Sequence, residues 1–259
     1  LKWGIPFASK VVAFQLPANT LQNIGQKAED YIVNDWTGPS KLVQGQQAQI
    51  KQEYLSKIAE GRPAKIIFRD GGRIGANALA LPNNTIIVTD QLVEMAHSDQ
   101  EILGVLAHEQ GHLVERHSLQ QALSSLGFSI LLVAVTGDSG DLMTSLPVAI
   151  LGAKYSRQFE QQADLYALKL MDKKHIEVSH FANFLQRMED EELAAEQKSD
   201  QKAGKTANKD QQPASTAQAT SQDHSNIVTV LEALSSHPAT AERVQMVRDF
   251  EKQQKLEKP

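Results

Sequence analysis

Two histidines and a glutamate in one short segment have the types and spacing to bind and use a metal ion. His108 and His112 lie four residues apart, and Glu109 directly follows the first of them. On an α-helix, residues at this spacing project from one face with Cβ atoms about 6 Å apart, so both imidazoles can reach one cation. Glu109 can face the open side of that cation and accept a proton from water there. The segment therefore predicts a hydrolytic metal centre.

The alternative is a chance match in which the two histidines belong to the core or to the surface. Gly111 argues against it, because glycine inside a helix costs about 1 kcal/mol relative to alanine and indicates close packing. The surrounding pattern predicts one helix from Ser98 to about Ser124, which begins with a capping box formed by Ser98 and Glu101. His117 follows five residues after His112 on this predicted helix, and we expect it to point away from the metal.

A catalytic zinc ion needs a third protein ligand and one open position. One class of zinc peptidases has a glycine three residues, and a histidine six residues, after the second motif histidine. In this chain Glu115 and Ser118 occupy those positions, so that class is excluded. The remaining option is a carboxylate from another helix.

Glu160 and Asp164 are the candidates for this role, because they lie four residues apart on a predicted helix over residues 158–171. Glu160 could bind the metal, and Asp164 could accept a hydrogen bond from the far nitrogen of a ligand imidazole, for which we choose His108. The alternative is a solvated acidic helix face, and the spacing alone does not decide between the two.

Five short segments stand out along the chain: Asn77-Ala78-Leu79-Ala80-Leu81-Pro82, His108-Glu-x-x-His112, Glu160-x-x-x-Asp164, Ser236-His237-Pro238 and Glu242-Arg243. Together they resemble the M48 peptidases over about residues 60–250. This family contains bacterial envelope proteases and prenyl endopeptidases. The resemblance implies one Zn²⁺ per chain, with Glu160 as the third ligand and Glu109 as the general base.

The resemblance also implies that His237 and Arg243 lie near the metal as catalytic residues. His237 would stabilise the oxyanion or act as a reversible fourth ligand that blocks the open position. Alternatively, His237 caps a helix near Pro238, and Arg243 forms a structural pair with a carboxylate.

One predicted β-strand contains the residues that, by the resemblance, would bind the substrate. The resemblance implies that Asn77, Ala78, Leu79 and Ala80 form a sheet edge that pairs with an extended substrate backbone. The alternative is a small scaffold sheet without a binding role. The hairpin that contains this strand continues into residues 85–89, and another strand is predicted over residues 65–69.

The predicted fold is α+β and mostly helical, with a zincin-like active-site helix beside a small antiparallel sheet. We expect residues 1–60 to form a helical segment that packs on the core, and residues 61–259 to form the metallopeptidase domain. Residues 195–225 lack large apolar side chains and predict a disordered insertion. Residues 126–153 are strongly apolar and predict either a buried helical hairpin or a surface that contacts lipid or a hydrophobic partner.

Composition excludes several classes of protein. The 259 residues include 26 Lys and Arg against 31 Asp and Glu, and the net charge of -5 argues against a nucleic-acid partner. The absence of cysteine excludes disulfides and thiolate zinc sites. No run of about 18 apolar residues predicts a membrane span. Because the sequence begins with Leu1, we expect an upstream segment that anchors the chain.

These observations predict a zinc metalloendopeptidase that hydrolyses peptide bonds in extended or misfolded envelope proteins. We expect it in the bacterial periplasm or cell envelope, with possible association with a membrane or an envelope complex. The sequence gives no indication of oligomeric state. The competing hypothesis is a metal-binding chaperone or scaffold whose weakly active site is capped by its own His237.

Overall fold

The computed structural model describes residues 4–126, 140–152, 154–206, 237 and 240–257. Helices account for most of the described chain, and this confirms the mostly helical class. A π-helix at Ile32–Trp36 and a 3₁₀ turn at Gly72–Ile74 are additional short elements. The described α-helices are α1 Gly4–Gln15, α2 Ala18–Tyr31, α3 Gln44–Lys57, α4 Asp90–Met95, α5 Asp99–Glu115, α6 His117–Leu126, α7 Gly140–Leu151, α8 Arg157–Lys173, α9 Ser179–Thr206 and α10 Ala241–Glu257.

The four described strands form one sheet in the order β1-β2-β4-β3, with β1 at Gly38–Pro39, β2 at Lys65–Asp70, β3 at Ala78–Leu81 and β4 at Thr85–Thr89. The predicted hairpin is confirmed as β3 and β4, and its turn uses the left-handed backbone of Asn84. The sheet is mixed rather than antiparallel, because β2 and β4 run parallel. After β2 the chain first forms the outer strand β3, and the hairpin then brings β4 into the position beside β2.

The sheet separates two hydrophobic cores, because side chains alternate between its faces. Ile66, Phe68 and Val88 face a core that is completed by α3, α5, α8, α9 and α10. Leu81 and Ile87 face a second core that is completed by α1, α2, α6 and α7. The helices of the first 60 residues therefore pack on both cores. The division into residues 1–60 and 61–259 stays a prediction.

The predicted long helix over residues 98–124 is in fact two helices. Its start is as expected, since the Ser98 side chain accepts a hydrogen bond from the Glu101 N–H. However, α5 ends at Glu115, and Arg116 adopts a left-handed conformation with φ 55°. The Arg116 side chain donates to the Ala13 carbonyl at 2.7 Å and lies over the Phe14 ring. Contacts with α1 therefore stabilise a kink that local sequence does not signal.

Glycines allow α5 to approach its neighbours closely. A Cβ atom on Gly111 would lie 3.1 Å from Ala163 Cα and from Tyr166 Cβ in α8. A Cβ atom on Gly104 would lie 2.9 Å from Phe181 Cβ in α9. The close packing expected at Gly111 is therefore present.

The predicted insertion is helical in its first part, since α9 continues to Thr206. Residues 195–206 lack large apolar side chains but are rich in Ala, Glu, Gln and Lys, which favour helix. Residues 207–225 lie outside the described residues, as do residues 127–139 of the predicted apolar hairpin, whose second part is α7. Among the described helices, none combines the length and the apolar character needed to cross a bilayer.

Candidate metal centre

Four side chains from three parts of the chain converge between α5, α8 and the start of α10. They are His108, His112, Glu160 and His237, and one ligand atom from each lies within 4.8 Å of the others. All four side chains are buried. The structure therefore brings the three residues predicted as metal ligands together and adds His237 to them.

The distances within this cluster fit a tetrahedral cation. His108 Nε2 lies 3.0 Å from His112 Nε2, and Glu160 Oε1 lies 3.3 Å from His112 Nε2. His237 Nδ1 lies 3.0 Å from Glu160 Oε1 and 3.2 Å from His108 Nε2. Ligand atoms placed about 2.0–2.1 Å from a tetrahedral zinc ion are about 3.3 Å from one another. Imidazole and carboxylate donors without sulfur also suit Zn²⁺.

Helices α5 and α8 position the two imidazoles and the Glu160 carboxylate. His108 and His112 occupy one face of α5, where the helix meets α8 at Gly111. Glu160 lies in the first turn of α8, whose N-cap Ser156 accepts a hydrogen bond from the Phe159 N–H. The positive end of a helix dipole stabilises a carboxylate in this position.

Asp164 and Arg243 form a second layer behind the cluster. Asp164 Oδ1 lies 2.8 Å from His108 Nδ1, the ring nitrogen that faces away from the cluster. Arg243 donates from Nε to Asp164 Oδ2 at 2.8 Å and from Nη2 to Asp164 Oδ1 at 2.7 Å. Its Nη1 lies 2.8 Å from Glu160 Oε2. Arg243 therefore holds both carboxylates in place, in agreement with the structural pairing considered for it.

These charges keep the buried carboxylates ionised. Burial alone would raise the pKa of Glu160, but the charges of His237 and Arg243 hold it well below its usual value. Burial likewise opposes ionisation of Asp164, and the Arg243 guanidinium lowers its pKa. Burial and the neighbouring imidazoles lower the pKa of His112, which favours the neutral form that binds a metal.

Glu109 and His237 face each other across the open side of the cluster. His237 Nε2 lies 3.5 Å from Glu109 Oε1. Burial disfavours a charged His237, but the carboxylates of Glu109 and Glu160 raise its pKa. Within the described structure, the buried Glu109 Oε2 has no hydrogen-bond partner. The cap of α10 is Thr240, whose hydroxyl accepts from the Arg243 N–H, so the capping role considered for His237 is wrong.

Three residues around His112 were missed by the sequence analysis. His117 does not point away, because the kink at Arg116 returns its ring to His112 with 3.0 Å between the two Nδ1 atoms. Gln162 Oε1 lies 2.9 Å from His117 Nε2. Tyr155 stacks on the His112 ring at 4.2 Å. Burial lowers the pKa of His117 to about 4. The prediction failed because it assumed a continuous helix.

The predicted substrate residues lie on the outer strand of the sheet. Ala78, Leu79 and Ala80 belong to β3, and β3 packs against α5. Asn77 directly precedes β3, and its carbonyl accepts from the Thr89 N–H. Beyond the end of β3, a cavity of about 250 Å³ adjoins the metal cluster. Its lining includes Leu21, Leu81, Pro82, His112 and Leu119.

Comparisons with known proteins agree with this arrangement. The profile of Peptidase family M48 matches residues 46–251. The mitochondrial metalloendopeptidase OMA1 of Arabidopsis thaliana is 35% identical over 96 residues, which are 37% of this chain and 20% of that protein. Metalloprotease YcaL of Escherichia coli is 33% identical over 107 residues, covering 39% of this chain and 42% of YcaL. The Beta-barrel assembly-enhancing protease of Yersinia pestis is 27% identical over 130 residues, covering 44% of this chain and 26% of that protein. The matches thus span less than half the length of each of these relatives.

Proposed function

The chain belongs to peptidase family M48, and on that basis we propose that it is a zinc-dependent endopeptidase that hydrolyses peptide bonds in extended or misfolded proteins. Family membership supports a metal-dependent protease in general terms. The observation that carries the specific proposal is the convergence of His108, His112 and Glu160, with Glu109 beside them.

His108, His112 and Glu160 would hold the cation, and Asp164 would orient His108 through its Nδ1 atom. When bound, Zn²⁺ supplies Lewis acidity, which polarises a carbonyl group and acidifies a water molecule. The fit rests on the distances among the donor atoms and on their chemistry, which excludes sulfur and includes one carboxylate.

Glu109 is proposed as the general base. Its carboxylate is buried, and Oε2 lacks a hydrogen-bond partner in the described structure, so it is available to accept a proton. Glu109 would take this proton from the attacking water and pass it to the nitrogen of the leaving amine. His237, 3.5 Å from Glu109, is placed to stabilise the negative charge that develops on the carbonyl oxygen.

An extended substrate would pair with β3. The Asn77 carbonyl accepts from the Thr89 N–H, and hydrogen-bonded pairs alternate along an antiparallel ladder. The backbone groups of Ala78 and Ala80 therefore point away from β4, toward the outer side of the sheet. A peptide strand added there would lie along α5 and present alternate side chains to nearby pockets, including the 250 Å³ cavity.

The substrates are proposed to be unfolded or extended proteins of the bacterial envelope, and the chain is proposed to act in the periplasm. The name of one bacterial relative supports this, since it is a protease that enhances β-barrel assembly. A site that pairs with a β-strand binds mainly the peptide backbone, so it suits substrates that share only an extended conformation.

The competing function, a chaperone or scaffold with a capped metal site, has one specific observation in its favour. His237 Nδ1 lies within the ligand cluster, 3.0 Å from Glu160 Oε1, and can fill the fourth position of the cation. A cation with four protein ligands has no open position for water, and such a site is structural rather than catalytic.

The decisive experiment compares cleavage of unfolded casein by the zinc-loaded wild type and by Glu109→Gln. We expect the variant to retain one equivalent of zinc, measured by elemental analysis, and to lose at least 100-fold in cleavage rate. Glu115→Gln, on the same helix, is the matched control and should cleave normally.

Full activity of Glu109→Gln would remove Glu109 as the base. A wild type that does not cleave, combined with an active His237→Ala variant, would support the capped site instead.

A further inference from the structure

The two histidines of the motif have different partners on the side that faces away from the cluster. His108 Nδ1 faces a carboxylate oxygen of Asp164 at 2.8 Å. His112 Nδ1 faces another imidazole, His117 Nδ1, at 3.0 Å. A carboxylate can only accept a hydrogen bond, but an imidazole nitrogen either donates or accepts. A further group must therefore determine whether His112 or His117 donates the hydrogen bond between their two Nδ1 atoms.

Gln162 is placed to decide it. Its Oε1 atom lies 2.9 Å from His117 Nε2, and an amide oxygen only accepts. The hydrogen of His117 then resides on Nε2, and its Nδ1 is an acceptor. His112 must donate from Nδ1, which leaves the lone pair of His112 Nε2 directed into the cluster.

We propose that His117 is a positioning residue that fixes the tautomer and ring orientation of His112, so that Nε2 is presented to the cation. Since His117 acts only through His112, this role rests on the proposed metal centre. It adds His117 as a third residue to Asp164 and Arg243 in the layer that supports the ligands.

The surroundings of His117 favour a fixed ring. The residue is fully buried, with 0% of its surface exposed. Its ring stacks on Phe159 with centroids 4.4 Å apart and an interplanar angle of 17°. Phe159 and Gln162 are three residues apart on α8, so one helix face supplies both the stacking partner and the acceptor. These contacts hold Nδ1 in line with His112.

Two substitutions separate positioning from packing. His117→Phe keeps the ring and its stacking on Phe159 but removes the acceptor. His117→Asn loses ring volume but retains an oxygen that can accept from His112 Nδ1. A packing role predicts that the Phe variant is the better one, whereas positioning predicts that the Asn variant is.

The measurement is Zn²⁺ affinity by competition with a chelator, with thermal unfolding of the chelator-treated proteins recorded in parallel. We expect His117→Phe to bind Zn²⁺ about 10–100-fold more weakly than the wild type, as for other partners that orient a ligand, and His117→Asn to remain within about three-fold. Equal affinities of the Phe variant and the wild type would overturn the proposal while leaving the endopeptidase intact. A wild type without zinc affinity would instead remove the proposed function itself.

A second measurement needs no variant. Nitrogen NMR of the histidine rings in the zinc-loaded wild type assigns the hydrogen of each neutral imidazole. We expect it on Nδ1 of His112 and on Nε2 of His117. A hydrogen on Nδ1 of His117 would overturn the proposal, because His117 would then donate toward His112.

Discussion

Two carboxylates with nearly the same burial illustrate how structural and metal-binding clusters differ. Glu29 is 5% exposed and Glu160 is 2% exposed. Glu29 accepts from Lys65 Nζ at 2.7 Å, from Asn83 Nδ2 at 2.7 Å and from Thr85 Oγ1 at 3.0 Å. Each of these partners is a donor, so both oxygens of the Glu29 carboxylate are satisfied without a cation.

Glu160 differs from Glu29 because one of its oxygens, Oε1, faces an acceptor atom. Arg243 Nη1 forms an ion pair with Oε2 at 2.8 Å, and His237 Nδ1 lies 3.0 Å from Oε1, but Oε1 also faces His112 Nε2 at 3.3 Å. A carboxylate oxygen and the lone pair of a neutral imidazole are both acceptors. Such groups can stay this close only with a proton or a cation between them. Donors on both oxygens therefore mark Glu29 as structural, and the acceptor nitrogen of His112 that faces Oε1 supports Glu160 as a proposed metal ligand.

Replacing Glu160 tests this distinction most strongly. Glu160→Gln keeps the shape of the side chain but removes the charge that attracts a cation. We expect the affinity for Zn²⁺ to fall by at least 100-fold, with loss of casein cleavage, as measured by chelator competition and by the cleavage rate. Glu29→Gln is the matched control and should change zinc affinity less than two-fold. Unchanged affinity in Glu160→Gln would remove this residue from the ligand set.

Replacing Glu29 should produce the converse result. Glu29→Ala leaves the buried Asn83 and Thr85 donors without their acceptor, and each such loss costs about 1–3 kcal/mol. We expect the free energy of unfolding to fall by about 2–3 kcal/mol in denaturant titrations with a chelator present. Zinc affinity of the folded variant should stay at the wild-type value. A stability unchanged within 0.5 kcal/mol, about the error of comparable measurements, would contradict the structural role.

The effect of pH on the stability that Glu29 contributes should be the smallest of the three predicted effects. Burial raises the pKa of this carboxyl, but its bonds to Lys65, Asn83 and Thr85 outweigh that and lower it overall. A lowered folded pKa stabilises the fold above the unfolded value, about 4.3, and this contribution disappears as the pH falls through the folded pKa.

The stability difference between the wild type and Glu29→Gln should therefore be constant near pH 6–7 and shrink below about pH 4.3. Denaturant titrations of both proteins in chelator across this range provide the check. A difference that grows on acidification would show that the folded pKa is raised instead.

The residues that were predictable from sequence are those whose spacing within one helix is itself the signal. His108, Glu109 and His112 share one turn of α5, and Glu160 and Asp164 share one turn of α8. Helical geometry fixes their relative directions, so a pattern of residue types is enough to place them. The family resemblance then joined the two helices, which spacing alone could not do.

The residues that were missed depend on contacts between distant parts of the chain. His117 reaches His112 only because Arg116 adopts a left-handed backbone that α1 stabilises. The Glu29 cluster joins α2, β2 and the β3–β4 hairpin, and no local pattern connects these segments. The parallel pairing of β2 with β4 likewise depends on where the hairpin packs. Tertiary packing determines each of these features, so they were not readable from residue spacing.

The absence of a side chain at Gly111 lets α5 and α8 approach each other closely beside the proposed metal centre. Both walls of the site are helices, and their separation at this point is limited by backbone contact with Ala163. A methyl group there would force α5 and α8 apart and widen the interval between the imidazoles and the carboxylate. A small tetrahedral ion suits the present separation, whereas Ca²⁺, with six to eight oxygen ligands at longer distances, would require the helices to move. The spacing of the proposed ligands thus depends partly on a residue that contributes no ligand atom.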